Sequence, residues 1–158
     1  IDAIGAARHP HIFLSVTKQG ISAIVNTTGN DTCHLILRGS NSGPNCDRES
    51  VADAEKKLTE AAVNHRLMID CSHGNSMKDH TRQPAVAAEV AEQVAAGTQA
   101  IMGLMIESHL KGGKQNHNDE TPLVYGQSIT DACLDWESTK PVLETLAAAV
   151  RERRSGLK

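Results

Sequence analysis

The chain is expected to be an α/β protein built on parallel strands, and three observations lead there. Short runs that are apolar on both faces recur along the sequence, helical patterns lie between them, and three of the runs end in polar residues suited to a ligand-binding edge. The runs cover residues 11–17, 33–38, 67–71 and 100–107. Their centres are spaced by about 22, 33 and 35 residues, room for one βα unit each. Parallel neighbours need such crossovers, and the crossovers are right-handed.

The intervening helices have their own signals. Residues 21–26 are short and weakly patterned. Over residues 50–63, Ser50 can cap, while Val51, Ala54, Leu58, Ala61 and Ala62 share one face. Residues 84–96 begin with Pro84 and stop at Gly97. Residues 143–154 follow Ser138 or Thr139 as cap, with Pro141 in the first turn and basic residues in the last. Two architectures fit this order: an open doubly wound sheet, or half of a (β/α)8 barrel, a whole barrel needing roughly 250 residues. Residues 111–135 break the alternation. A polar, Gly- and Asn-rich loop over 111–121 returns to an ordered stretch, 125–136, that holds the only Tyr and the only Trp.

Composition narrows the function. The chain has 158 residues, 39% apolar and 22% charged, which fits a single globular domain spanning 1–158. A net charge of -3 argues against nucleic acid as a partner. Apolar runs at 100–106 and 146–150 are too short to span a bilayer, and no basic-then-apolar leader is read, so no membrane partner is expected. Cys33, Cys46, Cys71 and Cys133 form no Cys-x-x-Cys pair, which suggests a reducing, cytoplasmic setting. The chain opens at Ile1 in what reads as the middle of a helix, so a fragment or a processed chain is expected.

The candidate chemistry gathers where strands end. One run ends in Arg38-Gly39, another at Ser72-His73-Gly74-Asn75, a third in Glu107-Ser108-His109. Taken singly, an Arg there pairs with a surface carboxylate, a His is a satisfied polar residue and a Glu faces solvent. Together they should crowd one rim, because parallel α/β folds bind ligands at the C-terminal strand edge. Imidazole and carboxylate suit a divalent first-row metal, and a guanidinium offers a bidentate fork to phosphate. Asp131 could add an oxygen ligand, and Asp70 could orient one. The stretch Gly39–Gly43 lacks the Lys-Ser/Thr of a phosphate-binding P-loop, and no Gly-x-Ser-x-Gly elbow occurs. His9, His11, His65, His80 and His117 read as surface or loop residues, and the basic tail at 151–158 as a complement to a helix C-terminus.

The blocks FLSVTKQG (13–20), HLILRGS (34–40), MIDCSHGNS (68–76), GLMIESHL (103–110) and YGQSITDACLDWE (125–137) together resemble, in order and over essentially the whole chain, the type I 3-deoxy-D-arabino-heptulosonate-7-phosphate (DAHP) synthases. The resemblance implies a TIM (β/α)8 barrel of which this chain supplies about the last four βα units. It implies condensation of phosphoenolpyruvate with erythrose 4-phosphate, the first step of the shikimate pathway. It further implies a divalent metal of the manganese, iron, cobalt or zinc type on Cys, His, Glu and Asp. His73, Glu107 and Asp131 match the last three. The family's cysteine lies in an Asp-Pro-Cys-Ser block that does not occur here, and Cys71 and Cys133 do not match it. Arg38 matches the Arg that binds the phosphate of phosphoenolpyruvate.

Feedback inhibition by an aromatic amino acid is also implied, with Phe13, Ser15 and Val25 resembling parts of that pocket. A half-barrel would leave strand edges open, so a complementing N-terminal half or a homo-oligomer is the expected partner. The other readings are a related phosphoenolpyruvate–sugar phosphate condensing enzyme and a non-catalytic barrel fragment.

Overall fold

Apolar residues that alternate with the pleat build the centre of the protein. In a computed structural model, which describes residues 1–118 and 121–156, the chain is a mixed α/β fold. After helix α1 (Asp2–Ala7) come strands β1 (Ile12–Val16), β2 (Ser22–Asn26) and β3 (Leu35–Leu37). Then follow α2 (Arg48–Glu60), β4 (Leu67–Asp70), α3 (Gln83–Ala95), β5 (Ile101–Met105), β6 (Lys111–Lys114), β7 (Gln127–Ser128) and α4 (Trp136–Gly156). Strands β3, β4 and β5 form one parallel sheet in sequence order, with α2 following β3 and α3 following β4, while β6 and β7 come between β5 and α4. A bulge interrupts the β4–β5 ladder: Leu67 pairs with Ile101 but Met68 pairs with Gly103.

One face of this sheet carries Leu37, Leu67, Ile69 and Ile101, all buried against Leu58, Val86, Val90, Val94, Val142 and Ala149 of the helices. The paired row Ile36, Met68 and Gly103 turns the other way, and Ile36 and Met105 stay exposed. Among the described residues no helix is long and apolar enough to cross a membrane.

The segment at 11–17 departs from the expected parallel strand, and the segment at 21–26 is not helical. They pair antiparallel as a hairpin, separate from the parallel sheet. The reason is local: Gly20 sits at φ +81°, its N–H bonds to the Thr17 carbonyl, and the Thr17 N–H bonds to Ile21. Ser22, Ala23, Ile24 and Val25 then alternate across a pleat instead of following a helical period. Three strands rather than four therefore lie in the parallel sheet among the described residues.

The helix boundaries are corrected by their caps. Asp47, not Ser50, caps α2: its carboxylate accepts from the Ser50 N–H at 2.9 Å and from the Ser50 hydroxyl at 2.6 Å. The Asp47 pKa is lowered by these bonds, the hydroxyl's first. Asp135 accepts from the Ser138 N–H at 2.7 Å at the start of α4, displacing Ser138 and Thr139 as caps and leaving Pro141 inside the helix. Within the expected 111–121 loop, Lys111–Lys114 is a short strand, and residues 119 and 120 lie outside the described residues. So do residues 157 and 158 of the basic tail.

All four cysteines are free. Burial and then Glu89 push the Cys46 thiol up to about 11, and burial and then Asp70 push Cys71 up to about 12.

Two outcomes are expected. Asp47→Ala should cost about 1 kcal/mol at neutral pH in urea unfolding. The stabilisation is present above the ordinary value of 3.8 and lost as pH falls through the lowered Asp47 pKa, so the difference should vanish in acid. An undiminished gap at low pH would contradict the capping role. Thiol alkylation at pH 8, followed by peptide mapping, should label Cys33 well before Cys46 and Cys71, because burial and the raised pKa values keep those two thiols covered and protonated. Equal labelling rates would contradict the described burial.

Candidate metal and phosphate site

The ends of β3 and β4 meet because their backbones nearly touch. Gly39 has φ +76°, and a Cβ there would lie 2.5 Å from the Gly74 carbonyl carbon. A Cβ on Gly74 would meet the Arg38 oxygen at 2.9 Å, so neither position accepts a side chain without movement. The Gly74 N–H donates to the Arg38 carbonyl at 2.9 Å. Asn75, almost wholly buried, completes the tie. Its amide nitrogen donates to the Leu37 and Asp70 carbonyls, and its oxygen accepts from the Asn45 N–H. Asn45 in turn accepts from the Gly39 N–H at 2.7 Å.

This arrangement places Arg38 and His73 on one rim. They line a cavity of about 450 Å³ together with Ser72, Ser76, Lys78, His80, Glu107, Lys114, Asp131 and Ala132. His73, Glu107 and Asp131 each present a ligand atom, and the three atoms lie within 4.8 Å of one another. His73 Nε2 is 3.8 Å from Glu107 Oε1. A first-row divalent ion bonds such donors at about 2.0–2.2 Å, so donors around one ion stand up to roughly 4.2 Å apart. Imidazole with two carboxylates at this spacing fits such an ion after a small contraction.

His73 is oriented from behind. Its Nδ1 lies 2.8 Å from Asp70 Oδ2 and 2.7 Å from Ser72 Oγ. Asp70 is itself buried and accepts from the Ser72 N–H and hydroxyl. With Nδ1 so occupied, Nε2 faces Glu107. The His73 backbone adopts φ +49°, and Met77 (+54°) and Lys78 (+63°) share the left-handed region. Strain of this kind collects at functional sites. Burial pushes the Glu107 carboxyl above its ordinary range. His73 opposes this, while Asp131 and Asp70 add to it. A cation held there would relieve the repulsion among these carboxylates.

Asp131 arrives by a different route. The Leu134 N–H donates to the Glu107 carbonyl and the His109 N–H to the Leu134 carbonyl, a parallel bridge alongside the continuation of β5. Asp131 lies three residues before Leu134 and is exposed. The Arg38 side chain makes no hydrogen bond or ion pair among the described residues and faces the cavity. Cys133 is half-buried beside Asp131, its sulfur 3.5 Å from the Asp131 carbonyl oxygen, and is not in the three-ligand group.

Ser72, Ser76, Lys78 and Lys114 were not among the expected site residues, and His80 is corrected from a plain loop residue to a cavity-lining one. His80 lies seven residues after His73 in the loop that leaves β4, and that shared loop was its only sequence signal. Phe13, Ser15 and Val25 share one face of the hairpin, Phe13 directly opposite Val25. They lie apart from the cavity, and the hollow beside the hairpin is lined by Ala7, His11, Asn26, Thr27 and Asn30 among others.

Comparison with known proteins bears on the same residues. A sequence model of the DAHP synthetase I family matches residues 1–144. A putative phospho-2-dehydro-3-deoxyheptonate aldolase of Schizosaccharomyces pombe is 58% identical over 157 residues, covering 98% of this chain and 43% of that protein. The Phe-sensitive phospho-2-dehydro-3-deoxyheptonate aldolase of Escherichia coli K12 is 52% identical over 98% of this chain and 44% of its own length. A solved phospho-2-dehydro-3-deoxyheptonate aldolase from Francisella tularensis superposes with a TM-score of 0.90 at 51% identity, over 96% of this chain and 44% of that one. The chain thus spans less than half the length of the relatives it matches. On the extent and identity of these matches, the chain belongs to the DAHP synthetase I family.

Proposed function

We propose that this chain carries the metal-binding and phosphate-binding rim of a DAHP synthase, which condenses phosphoenolpyruvate with erythrose 4-phosphate. The observation that carries the reading is the grouping of His73, Glu107 and Asp131 within 4.8 Å at a cavity that Arg38 also lines. The reaction joins carbon 3 of phosphoenolpyruvate to the aldehyde carbon of the sugar phosphate, adds water at carbon 2 and expels inorganic phosphate. When bound, a divalent ion supplies Lewis-acid polarisation of the aldehyde oxygen.

The protein's own residues do the rest of the positioning. Arg38 offers its guanidinium to the phosphate, neutralising it before and after the bond breaks. Asp70 and Ser72 hold Nδ1 of His73, so Nε2 is presented to the metal position. His73 ligates only when neutral, so metal affinity should fall in acid. Lys78 and Lys114 add positive charge around a cavity suited to anions.

We read residues 1–158 as one portion of a (β/α)8 barrel. The parallel order β3-β4-β5, the bridge from Ser108 to Leu134 and the exposed Ile36 and Met105 on the helix-free face support this. That face would be covered by the rest of a barrel, supplied by a complementing N-terminal half or a second copy. For inhibition, the Phe13, Ser15 and Val25 face is the proposed contact for an aromatic amino acid. Relatives named tyrosine-inhibited and Phe-sensitive, each 52% identical to this chain, support it.

In the full-length protein, His73→Ala, Glu107→Gln and Asp131→Asn should each weaken binding of manganese or cobalt by about tenfold or more, read by competition with a chromophoric chelator. Asp70→Asn should cost about 10- to 100-fold in the same assay. Wild-type affinity in all four variants would sink the metal reading. Arg38→Ala should raise the KM for phosphoenolpyruvate at least about tenfold while metal affinity is kept. An unchanged KM would remove Arg38 from the phosphate site.

A further inference from the structure

We propose that Gln83 is a positioning residue for the metal site: its buried amide grips the backbone of Glu107 and thereby sets where the Glu107 carboxylate stands relative to His73. The inference rests on the reading of His73, Glu107 and Asp131 as metal ligands and adds a residue that touches none of the three ligand atoms.

Gln83 is fully buried at the first position of α3. A buried amide is costly unless both of its ends are bonded. Here both ends bond to one residue: Gln83 Oε1 accepts from the Glu107 N–H at 2.8 Å, and Nε2 donates to the Glu107 carbonyl at 3.1 Å. This is the exchange of bonds that a neighbouring strand would make. It falls where the neighbouring strand has run out. β4 ends at Asp70, and the last backbone bond between these strands runs from the Cys71 N–H to the Met105 carbonyl. Glu107 lies beyond that point, where Gln83 takes its N–H and shares its carbonyl with the Leu134 N–H.

The residue is also coupled to the other ligand. The loop that carries His73 continues through Met77, Lys78 and a short 3₁₀ turn, His80–Arg82, directly into Gln83. That turn is pinned by Asp79, which accepts from the Thr81 N–H and hydroxyl. The short path from His73 to Gln83 is therefore held by turns, and Gln83 carries that placement across to Glu107. An apolar residue would fill the volume at Gln83 equally well. It would leave the Glu107 N–H without its partner, although the Glu107 carbonyl would keep its bond from the Leu134 N–H.

The test uses full-length protein and cobalt as the probe. Gln83→Met keeps the length and removes donor and acceptor. Val86→Ala, at a buried position on the same helix that makes no bond to Glu107, controls for general loosening of α3. Cobalt affinity by chelator competition and the visible cobalt spectrum are read well below each variant's unfolding temperature. Gln83→Met should lose about tenfold or more in affinity and show an altered cobalt spectrum, while Val86→Ala lowers the unfolding temperature and keeps affinity within about twofold. Wild-type affinity and spectrum in folded Gln83→Met would reduce Gln83 to a structural clasp and overturn the inference. Should Gln83→Met fail to fold, Gln83→Asn is read in its place: loss of affinity supports the inference, and wild-type affinity overturns it. If the wild type takes up no cobalt, the metal reading fails first and this inference falls with it.

Discussion

The close approach of two backbones, at Gly39 and Gly74, is the constraint on which the site depends. Arg38 and His73 leave adjacent strands, and their separation is fixed by how near those strand ends can come. Because neither glycine leaves room for a Cβ, the chain passes at hydrogen-bonding distance from Gly74 to Arg38. Asn75 then ties the same two strand ends and the returning loop at Asn45 with three bonds from one buried side chain. A buried amide with every bond made specifies a single arrangement, since any shift leaves a polar group unpaired. The rim is thereby held by backbone and amide contacts, and the Arg38 guanidinium is left to line the cavity.

The three metal-ligand candidates are supported in three different ways. His73 is held through its ring by Asp70 and Ser72, and Glu107 through its backbone. Asp131 sits on an exposed segment fastened by the bond from Leu134 to Glu107. Support weakens in that order, from a buried carboxylate to an exposed loop. His73 and Glu107 are thus bonded to buried groups, while Asp131 stands on an exposed segment. Lys114, from the short strand after β5, reaches the same cavity, so the excursion at 111–135 delivers both a carboxylate and a cation to the rim.

Much of this was legible in the sequence, and the failures have physical causes. The runs at 33–38, 67–71 and 100–107 read as parallel strands because both faces are apolar, and each does contain a strand of the parallel sheet. Arg38, His73 and Glu107 stood out because polar residues followed such runs. The hairpin was missed because residues 11–17 are as apolar as a buried strand, yet Ile12, Leu14 and Val16 are exposed. Apolar character alone does not tell a buried strand from one whose outer face is open. The caps at Asp47 and Asp135 were missed by three residues or so, since Ser and Asp compete for the same role and only geometry decides. Gln83 gave no signal and Asn75 stood out only as part of the polar strand end at 72–75, because an amide that binds main chain leaves no pattern in spacing.

The bulge between β4 and β5 has a consequence for how this strand can vary in length. Residues across a ladder point to the same side, so Met68 opposite Gly103 sets Met105, and after it Glu107, on the face that Asp70 occupies. Had the ladder run without interruption, Met68 would face Met102 and the parity of everything downstream would invert. Glu107 would then point among the helices. A single-codon insertion or deletion between Ile101 and Glu107 thus does more than shift a loop: it turns the carboxylate to the wrong side of the sheet. Changes of two residues preserve the side but move the carboxylate by about 6.6 Å along the strand. The length of this short stretch therefore decides on which side of the sheet the carboxylate stands.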